Sequence, residues 1–264
     1  MKTGICGICG RMGMAITKVL QERGHSLDAA FDSDRAPGFG GSVSSIAGGS
    51  GFDVRITAID RSVIKGIDCI IDFSAPAATR VLLEAAVSSG VPLVIGTTGL
   101  DDRDMEMIRN ASGKIPVLFS PNMSVGVNLF FKLTEIASRA IPKGYDIEVM
   151  EAHHRFKKDA PSGTARKLVE IIKENVSGLA DASEVPGRSG IVGERTDNEI
   201  GVMSIRGGDI VGEHTVFMAG TGERIEITHR ATDRDIFARG AVTAAEFISG
   251  RKPGLYSMYD VIGL

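Results

Sequence analysis

The chain has 264 residues, of which 43% are hydrophobic and 24% charged, a composition typical of a globular protein with a buried core. Thirty Lys and Arg against 33 Asp and Glu give a formal net charge of −3, which argues against a nucleic-acid-binding protein. The sequence has no uninterrupted apolar run of about 20 residues and no secretory-type start, so we expect a soluble, cytoplasmic protein without a membrane partner. Its three cysteines fit a reducing compartment.

The first 120 residues predict short apolar strands that alternate with helices. Strands are expected over Thr3–Cys6, Leu27–Asp32, 69–74, 92–99 (running into a loop) and 115–120. Helices are expected over Arg11–Arg23, 76–87 and 101–111. The stretch 33–51 is rich in Gly, Ser and Pro and predicts a mobile loop. This alternation indicates βαβ units, and therefore a doubly wound parallel sheet of the Rossmann type.

The pattern changes after residue 120. Helices are expected over 126–141, 163–175 and 233–249, and strands over 146–151, 200–205, 213–218 and 223–228. Three consecutive strands without intervening helices indicate antiparallel pairing, and the AGTG at 219–222 is typical of a hairpin. The stretch 177–198 predicts a loop or flap. We therefore expect a dinucleotide-binding domain of residues 1–123 and 232–264, and an α+β domain of residues 124–231 with an open mixed sheet.

The stretch GICGICGRMG (4–13) lies where a dinucleotide-binding loop is expected, after a strand and before a helix. Gly7 can turn sharply, Gly10 lets backbone N–H groups approach a pyrophosphate, and Gly13 allows close helix packing. The spacing G-x-G-x-x-G is not met, because Cys9 holds the intermediate position. A plain glycine-rich turn is therefore the alternative interpretation.

Asp32 supports the dinucleotide interpretation. It follows Gly13 by 19 positions and ends the second predicted strand. A carboxylate at that place accepts hydrogen bonds from the hydroxyls of an adenosine ribose.

Cys6 and Cys9 also form a C-x-x-C spacing, which is used in thiol–disulfide chemistry and in zinc sites. In redox motifs the first cysteine lies at a helix N-terminus, whereas Cys6 ends a predicted strand. A zinc site lacks its other ligands, because Cys69 lies in a separate strand. We therefore predict neither a redox role nor a metal.

The stretch EAHHRFKKDAPSGTA (151–165) contains two histidines, two lysines, an arginine and two acids beside a predicted helix start. Neighbouring strand residues point to opposite faces, so His153 and His154 are not expected to chelate one metal. A proton donor beside an anion anchor suits the stretch better, and Lys157 adds a positive charge. Residues 162–164 begin a helix whose N–H groups can hold a carboxylate or phosphate. A solvated basic loop before a capped helix is the alternative.

Four motifs together resemble the dihydrodipicolinate reductase family, whose members are also described as 4-hydroxy-tetrahydrodipicolinate reductases. They are GxxGRMG (7–13), GTTG (96–99), SPNMSVGVN (120–128) and EAHHRFKKDAPSGTA (151–165). The resemblance covers the whole chain in order and length, and the HHxxKxDAPSGTA run is highly specific.

The resemblance implies reduction of 4-hydroxy-tetrahydrodipicolinate, by way of dihydrodipicolinate, to tetrahydrodipicolinate in the diaminopimelate route to lysine. Hydride would add at C4 of the ring and a proton at C3. His153 is implied as the proton donor and Lys157 as a second donor or substrate anchor. His154, Gly163 and Thr164 are implied to hold the dicarboxylate. A homotetramer is also implied, with the sheet at 200–228 as its contact surface.

The resemblance further implies two groups of cofactor-binding residues. Those for the pyrophosphate and adenosine ribose are Gly7, Ile8, Cys9, Gly10, Arg11, Met12 and Asp32. Those for the nicotinamide side are Gly96, Thr97, Thr98, Ser120, Pro121, Asn122 and Met123. Many family members carry an arginine directly after the ribose-binding acid, where this chain has Ser33. We therefore expect NADH to be favoured, with NADPH still possible because Arg35 lies two positions on.

Two other interpretations stay open. The first is another NAD(P)-dependent reductase of a small dicarboxylate on the same fold. Aspartate-semialdehyde dehydrogenases, for example, need a nucleophilic cysteine in the substrate half, and all three cysteines here precede residue 70. The second is a non-catalytic regulator that senses a dinucleotide, which would not need the cluster at 153–164.

Overall fold

The structure is a computed structural model that describes residues 1–47 and 51–264. The chain divides into two compact units: unit 1 consists of Met1–Val125 with Asp235–Leu264, and unit 2 of Gly126–Arg234. The strands are β1 Lys2–Cys6, β2 Ser26–Phe31, β3 Ile56–Thr57, β4 Cys69–Asp72, β5 Leu93–Ile95, β6 Pro116–Phe119, β7 Asp146–His153, β8 Ser183–Val185, β9 Glu199–Arg206, β10 Gly212–Gly220, β11 Glu223–Ala231 and β12 Gly254–Tyr256. The helices are α1 Arg11–Glu22, α2 Val43–Ile46, α3 Arg61–Ile64, α4 Pro76–Ser89, α5 Asp102–Ser112, α6 Val125–Ala140, α7 Gly163–Asn175, α8 Asp235–Ile248 and α9 Met258–Ile262.

Unit 1 contains a parallel sheet with the strand order β12-β6-β5-β4-β1-β2-β3. The order reverses at the first strand, because β1 pairs with both β2 and β4. Cys6 at the end of β1 lies opposite Phe31 on one side and Asp72 on the other. Ligands of open α/β sheets bind outside the carboxyl ends of the strands at such a reversal. The predicted Rossmann-type fold class is confirmed.

Apolar side chains cover both faces of this sheet, as a doubly wound fold requires. Ile71 belongs to a buried cluster that α1 and α8 complete with Ile16, Leu20 and Ala241. Its neighbour Ile70 points to the other face and joins a second buried cluster, to which α4 and α5 contribute. Helix α8 therefore packs on the sheet of unit 1, although in sequence it follows β11 of unit 2.

Unit 2 contains a mixed sheet with the strand order β11-β10-β7-β9-β8. The hairpin of β10 and β11 is antiparallel, as predicted from the AGTG turn. The expectation that β9 also pairs antiparallel with its neighbour in sequence is wrong. Strand β7 lies between β9 and β10, pairing parallel with the first and antiparallel with the second. The chain returns to the sheet through α7, and this crossover makes β9 parallel to β7.

Several local elements differ from the sequence-based expectations. The predicted loop at 33–51 contains α2, and residues 48–50 lie outside the described part of the chain. The predicted flap at 177–198 contains the short strand β8. Strands β3 and β12 and helices α3 and α9 were not expected, because two to five residues are too few to show a period. The predicted strand at 146–151 continues to His153.

Candidate active site

The segment 7–13, which joins β1 to the first turn of α1 and is called the glycine loop below, has a backbone that requires glycine at two positions. Gly7 has φ +83°, and a Cβ built on it would lie 2.3 Å from the carbonyl oxygen of Phe73. A Cβ on Gly13 would lie 2.4 Å from the carbonyl oxygen of Gly7. Gly10 is the exposed N-cap residue of α1. The loop therefore holds the first N–H groups of α1 close to the end of β1, as binding of a phosphate requires.

Asp32, directly after β2, is fixed beside this loop by two backbone N–H groups. Cys9 N donates to its Oδ2 at 2.8 Å, and Ser33 N donates to its Oδ1 at 2.8 Å. A cavity of about 620 Å³ opens here, with Gly7, Gly10, Asp32, Ser33, Asp34, Phe73 and Ser74 among its lining residues. A helix N-terminus and an oriented carboxylate around one cavity fit the adenosine and pyrophosphate of a dinucleotide.

The other residues predicted for the pyrophosphate loop differ in exposure. Arg11 is exposed and Met12 half-buried at the start of α1. Ile8 is fully buried, so its side chain belongs to the core. The structure therefore leaves only the backbone of Ile8 for a cofactor.

The three cysteines are free thiols. Burial raises the pKa of both Cys6 and Cys69, and the neighbouring Asp72 raises that of Cys6 further. Burial together with Asp32 raises the pKa of Cys9 to about 11. All three thiols are therefore protonated at neutral pH, which makes them poor nucleophiles. Among residues 1–47 and 51–264, no three His, Cys, Asp or Glu side chains are grouped so that they could hold a metal ion.

The residues predicted for the nicotinamide side follow β5 and β6, at the same edge of the sheet as the glycine loop. Gly96 is needed for packing, because a Cβ there would lie 2.3 Å from the ring of Phe73. The buried Thr97 accepts a hydrogen bond from Ser74 N through its Oγ1 at 3.0 Å, whereas Thr98 is exposed.

The loop after β6 is held by its own hydrogen bonds. Ser120 Oγ donates to the carbonyl oxygen of Asn122 at 2.7 Å, and the Asn122 side chain accepts from Ser124 N at 2.9 Å. Pro121 is exposed, whereas Met123 is buried in the core. The structure thus places all the predicted cofactor residues at the carboxyl edge of one sheet.

Asp72 is a buried residue of this edge that sequence reasoning missed. Its Oδ1 accepts from Ser74 Oγ at 2.5 Å, and its Oδ2 accepts from Thr79 Oγ1 at 2.6 Å. Burial raises the pKa of Asp72 despite these bonds. Asp72 thereby ties the end of β4 to the first turn of α4. A carboxylate inside an otherwise apolar predicted strand was the available signal.

In unit 2, Glu151 and His153 lie on the same face of β7, because they are two positions apart on one strand. His153 Nδ1 lies 2.6 Å from Glu151 Oε2. Glu151 is fully buried, and Arg206 on β9 binds it with two hydrogen bonds of 2.8 Å. Burial would raise the pKa of Glu151, but the bonds from Arg206 and His153 outweigh it and lower the pKa to about 2. Neither Glu151 nor Arg206 was expected to have a role.

His214 on β10 completes this cluster. Its ring stands edge-on to that of His153, with 5.1 Å between the centroids, and its Nε2 lies 3.0 Å from Ser162 Oγ. Burial, assisted by the nearby His153, lowers the pKa of His214 to about 3, so this ring is neutral at physiological pH. Ser162 Oγ also accepts from Ala165 N, which caps α7. His214 thus links the sheet to the start of α7.

The remaining predicted site residues lie between β7 and the first turn of α7. Lys157 Nζ pairs with Asp159 at 2.9 Å, and His154 is half-buried. Gly163 is exposed and Thr164 half-buried in the first turn of the 13-residue helix α7. Lys157, His154 and the first turn of α7 supply an ammonium group, an imidazole and helix N–H groups, each of which is able to bind a carboxylate. Within the described residues, none of the helices is both long and apolar enough for a membrane span.

Comparison with protein families gives two matches that together cover almost the whole chain. Residues 1–123 match the model described as dihydrodipicolinate reductase, N-terminus, and residues 126–262 match dihydrodipicolinate reductase, C-terminus. The chain is 46% identical to the 4-hydroxy-tetrahydrodipicolinate reductase of Thiobacillus denitrificans, covering 100% of this chain and 99% of that protein. It is 43% identical to the protein of the same name from Syntrophobacter fumaroxidans, with the same coverages.

Solved structures with the same fold include a dihydrodipicolinate reductase from Paenisporosarcina sp. TG-14 with bound dipicolinate. The TM-score is 0.76 at 21% identity, covering 100% of this chain and 99% of that one. An aspartate-semialdehyde dehydrogenase from Vibrio cholerae has a TM-score of 0.51 at 14% identity, covering 94% and 96% of the two chains. At these identities the likeness concerns the fold alone.

Proposed function

The chain belongs to the dihydrodipicolinate reductase family, and from this premise we propose that it reduces 4-hydroxy-tetrahydrodipicolinate, by way of dihydrodipicolinate, to tetrahydrodipicolinate. The membership confirms the resemblance found in the four sequence motifs. The observation that carries the proposed chemistry is the pair of His153 and Glu151, whose carboxylate also accepts a hydrogen bond from Ser162 N at the start of α7. The product belongs to the diaminopimelate route to lysine, so we place the protein in the cytoplasm.

The residues of unit 1 fit a nicotinamide dinucleotide. Gly7 to Met12 would hold its pyrophosphate and Asp32 its adenosine ribose, while 96–98 and 120–123 would contact the nicotinamide side through their backbone. When bound in its reduced form, the dinucleotide supplies a hydride to C4 of the substrate ring. The exposed N-cap at Gly10 keeps the start of α1 open to an anion.

The residues of unit 2 fit the proton transfer and the binding of two carboxylates. Hydride addition leaves an enamine that must gain a proton at C3, and His153 Nε2 is the proposed donor. Burial lowers the pKa of His153, and the negative charge of a dicarboxylate bound nearby would act in the opposite direction and favour the charged imidazole. His154, the first turn of α7 at Gly163 and Thr164, and Lys157 would hold the carboxylates. Lys157 is also the second candidate for proton donation.

A direct assay tests this function. Mixing the protein, NADH and freshly made substrate should lower the absorbance of reduced nicotinamide and yield tetrahydrodipicolinate. A protein that binds NADH but leaves its absorbance unchanged would instead be a regulator. If NADH is consumed with another small dicarboxylate but not with the proposed substrate, the protein is a different reductase.

We further propose that NADH is preferred over NADPH. Asp32 and Asp34 both line the cavity beside the glycine loop, where a 2′-phosphate would meet two negative charges. Ser33 stands between them, and the exposed Arg35 follows. The ratio of kcat/KM for the two dinucleotides tests this, and Ser33→Arg should move the ratio toward NADPH. A wild-type preference for NADPH would contradict the proposal.

A homotetramer is the proposed assembly, formed through the sheet of unit 2. Ile205 on β9 is 46% exposed, and Phe217 on β10 is half-buried on the same face of the sheet. Apolar side chains on an open sheet face are typical of a protein–protein contact. Light scattering after size exclusion measures the mass directly. Ile205→Lys should yield smaller species, and a monomeric wild-type protein would overturn this assignment.

A further inference from the structure

We propose that Glu151, held by Arg206, is a positioning residue that sets the tautomer and orientation of His153, so that Nε2 is the nitrogen that gains and loses the transferable proton. The proposal deepens the function given above and rests on it only where turnover is measured. Glu151 contacts no reacting atom in this scheme. It acts through the imidazole that it holds.

The carboxylate of Glu151 is held from several sides. Its Oε2 accepts from His153 Nδ1 at 2.6 Å and from Arg206 Nη1 at 2.8 Å. Its Oε1 accepts from Arg206 Nη2 at 2.8 Å and from Ser162 N at 3.2 Å. With four donors around a fully buried group, the carboxylate has no freedom to rotate away from the imidazole.

The strand pairing keeps these groups together. His153 and Arg206 are direct partners in the parallel pair of β7 and β9. From there Arg206 reaches back to Glu151, and its Nη2 also donates to the carbonyl oxygen of Asp159 at 2.7 Å. Arg206 thereby ties the loop that carries Lys157 to the same carboxylate. Groups mounted on neighbouring strands are placed more accurately than groups on loops.

The contact with Glu151 determines which ring nitrogen of His153 can exchange a proton. A carboxylate accepts hydrogen bonds only, so Nδ1 must carry the donated hydrogen. Nε2 then gains and loses the proton, and it has no hydrogen-bond partner among the described residues. A Cβ built on Gly212 would lie 3.1 Å from Nε2, so a glycine at this position leaves the space beside that atom open.

Four titratable groups surround His153, and only one of them favours its charged form at neutral pH. Burial lowers the pKa of His153, Glu151 raises it, and the cations Lys157 and Arg206 lower it. The neutral His214 contributes its ring edge. Loss of the Glu151 charge therefore leaves burial and two cations unopposed, and the pKa of His153 must fall further.

Glu151→Gln tests this directly, because it keeps the shape of the side chain and removes the charge. In wild-type protein, ¹⁵N chemical shifts of the His153 ring should report a single neutral tautomer with hydrogen on Nδ1. In E151Q we expect mixed tautomers and a titration about one pH unit lower. The kcat should fall about 10- to 100-fold, the alkaline limb of its pH profile should move to lower pH, and KM for NADH should stay unchanged.

Glu199→Gln is the matched control, since Glu199 is also a buried carboxylate bound by an arginine, Arg188, at 2.6 Å in the same unit. It should leave the His153 titration and the pH profile as in wild type. Arg206→Lys keeps the cation but loses the bidentate hydrogen bonding to Glu151, so kcat should fall while the alkaline limb of its pH profile stays in place. This second variant keeps the test usable if E151Q does not fold.

The outcomes separate this inference from the proposed function. If E151Q shows the wild-type tautomer and pH profile, or changes only as much as E199Q, Glu151 has a structural role and the inference is wrong. If the wild-type protein fails to turn over the substrate, the proposed function is wrong. The ¹⁵N measurement on the unliganded protein still decides the role of Glu151 in that case.

Discussion

The glycine loop of unit 1 and the His153 cluster of unit 2 are built in opposite ways. The loop is a backbone site whose geometry depends on absent side chains, because a Cβ on Gly7 or Gly13 would lie within 2.4 Å of a carbonyl oxygen. The His153 cluster is a side-chain site, in which Glu151 and Arg206 must be present and paired. An added atom should therefore damage the first site, and a removed atom the second.

The largest effect is expected from removal of the imidazole. His153→Ala should lower kcat by about 10²–10⁴-fold, because the proposed general acid is lost. NADH affinity should stay near wild type, since the residues proposed to bind the cofactor belong to unit 1. His25→Ala, which removes an imidazole paired with Glu246, should leave kcat unchanged. Steady-state kinetics and NADH titration check both, and an unaltered kcat in H153A would remove His153 from the acid role.

An added methyl group in the backbone site should have the next largest effect. Gly7→Ala places a Cβ at φ +83° against the carbonyl of Phe73, so NADH affinity should fall at least about 10-fold and Tm should drop. Gly24→Ala is the matched control, since Gly24 has φ +69° with nothing within 4 Å of its Cβ. It should cost about 1 kcal/mol of stability and leave NADH binding intact. Equal changes of NADH affinity and Tm in the two variants would show that the positive φ, rather than the contact with the Phe73 carbonyl, is the reason that position 7 needs glycine.

Acid should act on unit 2 through Glu151. Its pKa is lowered from an ordinary 4.5 to about 2, so its stabilising contribution is complete above about pH 4.5 and is lost as the pH falls toward 2. E151Q should therefore lose less free energy of unfolding over this window than wild type, by roughly 1–3 kcal/mol. Denaturant unfolding at several pH values between 5 and 2 measures the difference. If wild type and E151Q lose the same free energy of unfolding between pH 5 and 2, the ion pair of Glu151 and Arg206 is not maintained in solution.

The smallest effect is expected at the cysteines. Cys9→Ala removes a half-buried thiol with a raised pKa, while the N–H of residue 9 that binds Asp32 is retained. We expect kcat and the KM for NADH to change less than about twofold, since a protonated thiol is a poor nucleophile and the cofactor contact proposed there is with the backbone. A large loss of turnover in steady-state assays would reopen a chemical role for the C-x-x-C spacing.

The contrast between a backbone site and a side-chain site also explains which parts of the candidate site were predictable. The glycine loop, Asp32 and the start of α7 were expected, because each depends on residues that are adjacent in sequence or follow one strand. Asp72 was missed, since a buried carboxylate at the end of a strand has many structural uses. The position of β9 was predicted wrongly, because hydrophobic patterning identifies strands but not their partners.

The sequence alone determined the doubly wound sheet and the glycine-rich turn, since local conformation and apolar periodicity depend on near neighbours. It also singled out 151–165 as a candidate site. Only the tertiary structure decided that β7 lies between β9 and β10. That order brings Arg206, 55 positions from Glu151, onto its carboxylate, and His214 against His153. Strand order and register arise from packing over long separations, where no local pattern specifies the partner. The surroundings of the proposed acid were therefore set by the fold.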